Sequence, residues 1–219
     1  AGRLLGALVA LGARDAVLSP GSRNTPLVLA MEALTRGGAD LTLTDVLDER
    51  AAAFFALGLA RRSGRPVILS CTSGSAGAHY LPALTEASAS GVPLIVLTAD
   101  RPAELLGVGA PQTLDQTRLF GPFVRMFLDL SEPAEDRDGP GLEHAAARAW
   151  DAAFGANPGP VHLNLPFREP LWDPAVGAED APALLRAPPR VLRGRPQLDP
   201  AELEALAAQI SATPRGVIV

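Results

Sequence analysis

The sequence predicts an α/β fold: a parallel sheet with helices on both faces. Three observations carry this. Short apolar strand-like segments alternate with helix-like segments along most of the chain, as in successive βαβ units. The segment VPLIVLTA (Val92 to Ala99) is apolar almost throughout, as in a parallel strand buried on both faces. Strand-like segments also end in turns of small and polar residues, SPGSRNTP (19–26) and TSGSAG (72–77). Sheets of this kind bind ligands beyond the carboxyl ends of their strands.

The elements follow in order. A first helix is expected near Arg3 to Gly12, then a strand over Asp15–Ser19 and a helix over Pro26–Arg36. Strand Leu41–Asp45 precedes helix Glu49–Arg62, whose entry Asp48 can cap. That helix carries Ala51 to Gly58, small and apolar residues with two Phe, and is expected to be buried. Strand Pro66–Cys71 leads to a helix starting near Gly74 and running toward Ser90. After Val92–Ala99 comes a Gly- and Pro-rich loop, then strand Val124–Leu130, helix Gly141–Phe154 and strand Val161–Leu165. Residues 174–197 are rich in Ala, Pro and Arg with little periodicity, and are expected to be a linker. Leu198–Ile210 restarts a helix, with Asp199 as N-cap and Pro200 at its first position. Arg215–Val219 is expected to begin a strand, so residues 198–219 look like the start of a truncated second domain.

Composition narrows the function. The 219 residues are 47% hydrophobic and 20% charged, enough for a packed core and too apolar for disorder. No apolar run reaches the ~18 residues of a membrane span. Arg3 to Leu18 resembles a signal peptide, but Gly and charge interrupt it and no cleavage site follows. A cytoplasmic location is expected. The net charge of −5 and the lack of a basic run argue against a nucleic-acid partner. One Cys, Cys71, rules out an internal disulfide and a Cys-based zinc site, and the three His show no metal-ligand spacing. Every one of the 19 basic residues is Arg, which excludes a Lys Schiff base and a Walker A loop.

Several residues are candidates for chemistry, each with a plainer alternative. Glu49 sits in the first turn of its helix, where an acidic residue suits the macrodipole. It also follows a strand end, where partial burial would raise its pKa and fit it to share a proton. In the TSG turn, Thr72, Ser73 and Gly74 let a ligand approach the backbone, and free N–H groups there could bind polar atoms. The alternative is a small-residue turn that lets a helix pack close to the sheet. Neither this turn nor GVGAPQ (107–112) matches G-x-G-x-x-G, and TSGSA is not the G-x-S-x-G of a hydrolase. Arg101, at the end of the apolar strand, is either a carboxylate clamp or a salt-bridge partner of Asp100 or Glu104. Gln112 and Gln116 lie in a Gly-rich loop positioned to cover a site. Cys71 and His162 are expected to be packed core residues. Ser22 and Arg23 stand between a strand and a helix, either as an anion site or as a helix entry with Arg in solvent.

Together, SPGSRNTPL, DERAAAFFALGLA, TSGSAGAHYLPAL, LTADRPAEL, GAPQTL and HLNLPFREPL resemble one family in order and rough spacing. It is the 2-succinyl-5-enolpyruvyl-6-hydroxy-3-cyclohexene-1-carboxylate (SEPHCHC) synthase family, thiamine-diphosphate transferases of menaquinone biosynthesis. The resemblance covers residues 1–173 and is weaker beyond. It implies a pyrimidine-binding domain over 1–173, a linker over 174–197, and the start of a central domain over 198–219. A further domain would hold the diphosphate and Mg²⁺. The implied reaction decarboxylates 2-oxoglutarate and adds the succinyl unit to isochorismate. Glu49 would hydrogen-bond N1′ of the aminopyrimidine, and Thr72, Ser73 and Gly74 would face the cofactor. Ser22, Arg23, Arg101 and Gln112 would line the isochorismate pocket, where an Arg fork suits a carboxylate. The family often has Ser where Asn24 stands and Asn where Pro111 stands. A homodimer or homotetramer is implied, and this chain alone is expected to be inactive. The alternative is a non-catalytic α/β nucleotide- or cofactor-binding module, against which the missing glycine fingerprint counts.

Overall fold

The computed structural model describes residues 1–130, 132, 141–172, 188–194 and 197–217. Helix α1 (Gly2–Leu11) leads into β1 (Asp15–Leu18), then α2 (Thr25–Arg36) and β2 (Thr42–Asp45). Next come α3 (Glu49–Ser63), β3 (Val67–Cys71), a 3₁₀ segment (Gly74–Tyr80), α4 (Leu81–Ala89) and β4 (Leu94–Asp100). Strand β5 (Met126–Asp129), α5 (Gly141–Phe154) and β6 (Pro160–Pro166) follow, and α6 (Pro200–Ala212) is last. All described strand pairings are parallel, in the order β2-β1-β3-β4-β6-β5. The fold class expected from the sequence is the one observed.

Two apolar layers sandwich the sheet, and alternate residues of one strand feed opposite layers. Ile95, Leu97 and Ala99 of β4 join α1, α2 and α5 residues such as Leu8, Met31 and Trp150. Leu94 and Val96 join the layer of α3 and α4, with Ala53, Ala56 and Leu84. Both faces are covered, so β4 has no polar face and reads as a continuous apolar run.

The chain leaves β1 toward β2 on one side and returns to place β3 on the other. That reversal puts a crevice at the carboxyl ends of β1 and β3, where open α/β sheets bind ligands.

Three expectations need correction. First, α3 is not buried all round. Ala52, Ala53, Ala56, Leu57 and Ala60 face the sheet, while Phe54 and Phe55 are 49% and 45% exposed. The alanines bring the helix close to the sheet, which pushes the larger side chains outward. Second, no single helix runs from Gly74 to Ser90. A 3₁₀ segment ends at Tyr80 and α4 begins at Leu81. Pro82 in the first turn of α4 lacks an N–H to bond back into the preceding turn, so a new helix starts there. Third, residues 215–217 form no strand, and 218–219 lie outside the described residues. Most of the expected linker, 174–197, also lies outside them, and 188–194 has no regular structure.

Capping fits the sequence well. Asp48 Oδ1 accepts the Arg50 and Ala51 N–H groups at 2.9 and 3.4 Å, and Gly64 closes α3 in the left-handed region at φ 65°. Asp199 caps α6 by accepting the Ala201 N–H at 2.8 Å.

Candidate active site

The loop after β1 folds inward against the loop after β3. The Arg23 N–H donates to Thr72 Oγ1 at 3.2 Å, and the Ser19 N–H donates to the Ser70 carbonyl at 2.9 Å. Gly21 is required at this approach, because a Cβ there would lie 2.4 Å from Thr72 Cβ. Asn24 is buried and ties the loop to itself, its Nδ2 donating to the Ser19 carbonyl at 3.0 Å. The Ser22 carbonyl accepts the Thr25 N–H and hydroxyl at 3.1 and 2.7 Å, which starts α2.

Ser22 is exposed and Arg23 is not. The Arg23 guanidinium turns under the loop and donates to the Phe167 carbonyl at 2.9 Å and to Glu169 Oε1 at 3.2 Å. Its side chain is 4% exposed, and its Nε is buried with no partner. Burial, then the neighbouring Arg101 charge, lower its pKa from the usual guanidinium value, and Glu169 opposes this. Neither sequence expectation placed Arg23 behind Glu169.

Arg101 follows β4 and forms no ion pair among the described residues. Asp100 Oδ1 accepts the Arg101 backbone N–H at 2.7 Å, and Asp100 Oδ2 accepts from Asn164 Nδ2 at 2.7 Å. Glu104 is taken by Arg168, which also bonds Glu132. Both salt-bridge alternatives for Arg101 are therefore unmade, and the buried Nε of this half-buried residue has no partner among the described residues.

Glu49 begins α3, is half-buried, and makes no side-chain hydrogen bond or ion pair among the described residues. It lies within electrostatic reach of Cys71, at the end of β3, and of Tyr80, at the end of the 3₁₀ segment. Burial first, with the Glu49 charge among the lesser causes, pushes the Cys71 thiol up to about 12 and Tyr80 well above the usual phenol value. Cys71 is thus a protonated core residue, as the sequence suggested.

Two glutamines hold the TSG turn. Gln112 Nε2 donates to the Ser73 carbonyl at 3.2 Å, and Ser73 Oγ returns a bond to the Gln112 carbonyl at 3.1 Å. Gln112 sits at φ 55°, in the left-handed region that a non-glycine residue seldom adopts. Gly74, at φ 84°, passes so close that a Cβ would lie 2.8 Å from Gln112 Cγ. The Gly74 N–H, expected to be free for a ligand, donates instead to Gln116 Oε1 at 3.0 Å. Gln116 is not a flexible cover but a buried anchor, 1% exposed.

The structure thus puts Ser22, Arg23, Glu49, Thr72, Ser73, Gly74, Arg101 and Gln112 on the carboxyl-end rim of one sheet. It links Arg23 to Thr72, Gln112 to Ser73, and Arg23 to Arg101 by charge. Sequence reasoning missed Glu169 and Asn164. A signal for Asn164 existed: VHLNLP places His162 and Asn164 at alternate positions in an otherwise apolar strand. Both pack on Thr98 of β4, whose hydroxyl bonds His162 Nε2 at 2.7 Å and Asn164 Oδ1 at 2.9 Å.

Residues 1–119 match the family model described as "Thiamine pyrophosphate enzyme, N-terminal TPP binding domain". The chain belongs to this family of thiamine pyrophosphate enzymes and carries its N-terminal domain. Its similarity is more particular. It is 52% identical over 224 residues to the SEPHCHC synthase of Geobacillus kaustophilus, spanning 100% of this chain and 38% of that protein. It is 54% identical over 169 residues to the synthase of the same name from Haloarcula marismortui, spanning 77% of this chain and 28% of that one. The crystal structure of benzoylformate decarboxylase from Polynucleobacter necessarius superposes with a TM-score of 0.68 at 25% identity, over 95% of this chain and 36% of that one. The chain therefore spans 38% and 28% of the length of these two curated relatives, and carries the family's N-terminal domain.

Proposed function

We propose that this chain is the N-terminal part of a SEPHCHC synthase, a transferase that decarboxylates 2-oxoglutarate and adds the succinyl unit to isochorismate in menaquinone biosynthesis. The observation that carries the substrate side is the Arg23–Arg101 pair. Two guanidiniums lie within repulsive reach at the end of the sheet, and each keeps a buried Nε without a partner. Buried unpaired donors are costly, and like charges add to that cost. A carboxylate-bearing substrate relieves both. Ser22, exposed beside them, and Gln112 complete the isochorismate pocket in this reading.

The residues also fit thiamine diphosphate. Glu49 is a half-buried carboxylate with no protein partner, the state suited to accept a hydrogen bond from a ring nitrogen. Thr72, Ser73 and Gly74, in the turn that follows β3 on the same rim of the sheet, complete the cofactor side in this reading. Thiamine diphosphate supplies the carbanion-stabilising chemistry of decarboxylation and addition. The part of this chain is to hold the aminopyrimidine and to share a proton at the Glu49 carboxylate.

Among the described residues no group of three or more His, Cys, Asp or Glu side chains is arranged to hold a metal ion. Mg²⁺ belongs, in this reading, with the diphosphate on a further domain. Residues 1–173 are the pyrimidine-binding domain, 174–197 the linker and 198–219 the start of a central domain. Leu203, Leu206 and Ile210 are exposed at helical spacing on α6, which supports a further packing partner for that helix. The enzyme works as a homodimer or homotetramer in the cytoplasm. No helix among the described residues is long and apolar enough to cross a membrane.

The test is an assay of the full-length protein with 2-oxoglutarate, isochorismate, thiamine diphosphate and Mg²⁺. An isochorismate-dependent product is expected, and its absence would sink the assignment. Glu49→Gln lowers turnover about 100-fold or more while leaving the unfolding transition unchanged. Near-wild-type turnover would remove Glu49 from this role.

A further inference from the structure

We infer that Gln116, held by Asn164, is the positioning residue that sets the distance between the Gln112 and Arg101 sides of the substrate pocket. The inference rests on the acceptor-site reading above. It goes beyond it by giving a role to two residues outside the pocket itself.

Gln116 uses its whole carboxamide to join three elements. Oε1 accepts the Gly74 N–H at 3.0 Å, and Nε2 donates to the Ala99 carbonyl at 3.2 Å and to Asn164 Oδ1 at 2.8 Å. Both N–H donors are used, and the side chain is buried. The loop around it has little else to hold it. Leu106 to Gly109, Pro111, Gln112, Leu114 and Asp115 are all exposed. Gln112, four residues earlier, keeps its left-handed backbone only through its two bonds to Ser73. Gln116 anchors the same loop to the next residue of that turn, Gly74. The two glutamines therefore grip the two ends of one peptide group, Ser73–Gly74, Gln112 from the surface and Gln116 from the core.

Asn164 extends the anchor to the other wall. Its Oδ1 accepts from Gln116 and from the Thr98 hydroxyl, and its Nδ2 donates to Asp100 Oδ2 at 2.7 Å and Asp129 Oδ1 at 3.0 Å. Asp100 in turn accepts the Arg101 N–H. A buried, fully bonded path thus runs from the Gln112 loop through Gln116, Asn164 and Asp100 to the backbone of Arg101. Glu49 takes no part in it. A residue without hydrogen-bonding groups at 116 would leave the Gly74 N–H, the Ala99 carbonyl and part of Asn164 unsatisfied.

The experiment uses full-length Gln116→Leu and Gln116→Glu, which keeps an acceptor for Gly74 but turns a second oxygen on the Ala99 carbonyl and Asn164 Oδ1. Two readouts are taken. In steady-state kinetics, kcat/KM for isochorismate falls about 10- to 100-fold in Gln116→Leu, while decarboxylation of 2-oxoglutarate without isochorismate falls by a clearly smaller factor, since Gly74 also borders the cofactor in the reading above. Gln116→Glu, which loses both donor bonds, shows the same split. In hydrogen exchange, the Gly74 amide and residues 106–116 exchange faster in Gln116→Leu, with α1 and α5 unchanged. An equal fall in both half-reactions, or unchanged isochorismate kinetics, overturns the inference. If the wild-type protein forms no isochorismate-dependent product, the functional reading fails by itself, and hydrogen exchange decides the anchor. Unchanged exchange at Gly74 and the loop then overturns it.

Discussion

The Arg23 backbone N–H donates to the Thr72 hydroxyl across 3.2 Å, and this bond closes the crevice between the loops after β1 and β3. The two residues stand at the point where the strand order reverses, so their contact sets the floor of the candidate site. Gly21 makes the contact possible. A Cβ at position 21 would lie 2.4 to 2.8 Å from Thr72 Cβ, Cγ2 and Oγ1, and Thr72 Cβ is fixed to its backbone.

Gly21→Ala is therefore expected to force the loops apart. Overpacking of this kind costs about 1–3 kcal/mol. The measurement is urea unfolding, where the midpoint falls with the slope unchanged. An unchanged midpoint would show that the loops do not touch in solution.

The proposed function gives Arg23 and Arg101 the same anion, yet their substitutions are expected to differ in their effect on stability. Arg23 is buried and satisfies the Phe167 carbonyl, so Arg23→Ala leaves a buried acceptor unpaired and costs about 1–3 kcal/mol. Arg101 has no side-chain partner among the described residues, so Arg101→Ala leaves the unfolding midpoint nearly unchanged and removes a repulsive neighbour of Arg23. Both variants weaken isochorismate use in the full-length enzyme and spare decarboxylation of 2-oxoglutarate. Equal destabilisation by the two would contradict the burial difference.

The apolar patch formed by Leu47, just before α3, and the outer face of α3 carries a third prediction. Leu47, Phe54 and Phe55 are 83%, 49% and 45% exposed, and Ala51 and Gly58 beside them leave room for a close neighbour. Such a patch marks an interaction surface. In the full-length protein, Phe54→Arg is expected to shift sedimentation toward the monomer and to lower activity in step. An unchanged oligomer would assign the patch elsewhere.

Local signals made the framework legible, and long-range partners set the rest. Helix α5 spans Gly141–Phe154, as its apolar period and flanking breakers suggest, and Asp48 and Gly64 bound α3 because capping is a short-range effect. The rim residues were legible because strand-to-helix turns fall on one edge of a parallel sheet. The burial of Arg23 was not, since its partners Phe167 and Glu169 lie 144 and 146 residues away. Gln116 appeared to belong to an open loop for the same reason: its bonds reach Gly74 and Asn164, 42 and 48 residues away. The orientation of Phe54 and Phe55 depended on how close the alanine face of α3 could approach the sheet, which composition alone does not fix.

His162 carries the pH prediction. It is fully buried between the Phe120 and Phe127 rings, with Thr98 at Nε2 and no partner at Nδ1. Burial lowers its pKa from 6.5 to about 3. Between those values the unfolded chain binds the proton and the folded chain does not. Stability is therefore fully present above pH 6.5 and falls as the pH drops toward 3, by at most about 1.4 kcal/mol per pH unit. Burial raises the nearby Asp100 carboxyl, and a raised carboxyl has the opposite sign, adding stability as the pH falls. The comparison with His162→Gln cancels that contribution, because Asp100 is present in both proteins. Urea midpoints at pH about 7.5 and about 5 are expected to drop more for the wild-type chain than for the variant. Equal drops would mean that His162 is protonated, or solvated, within the folded protein.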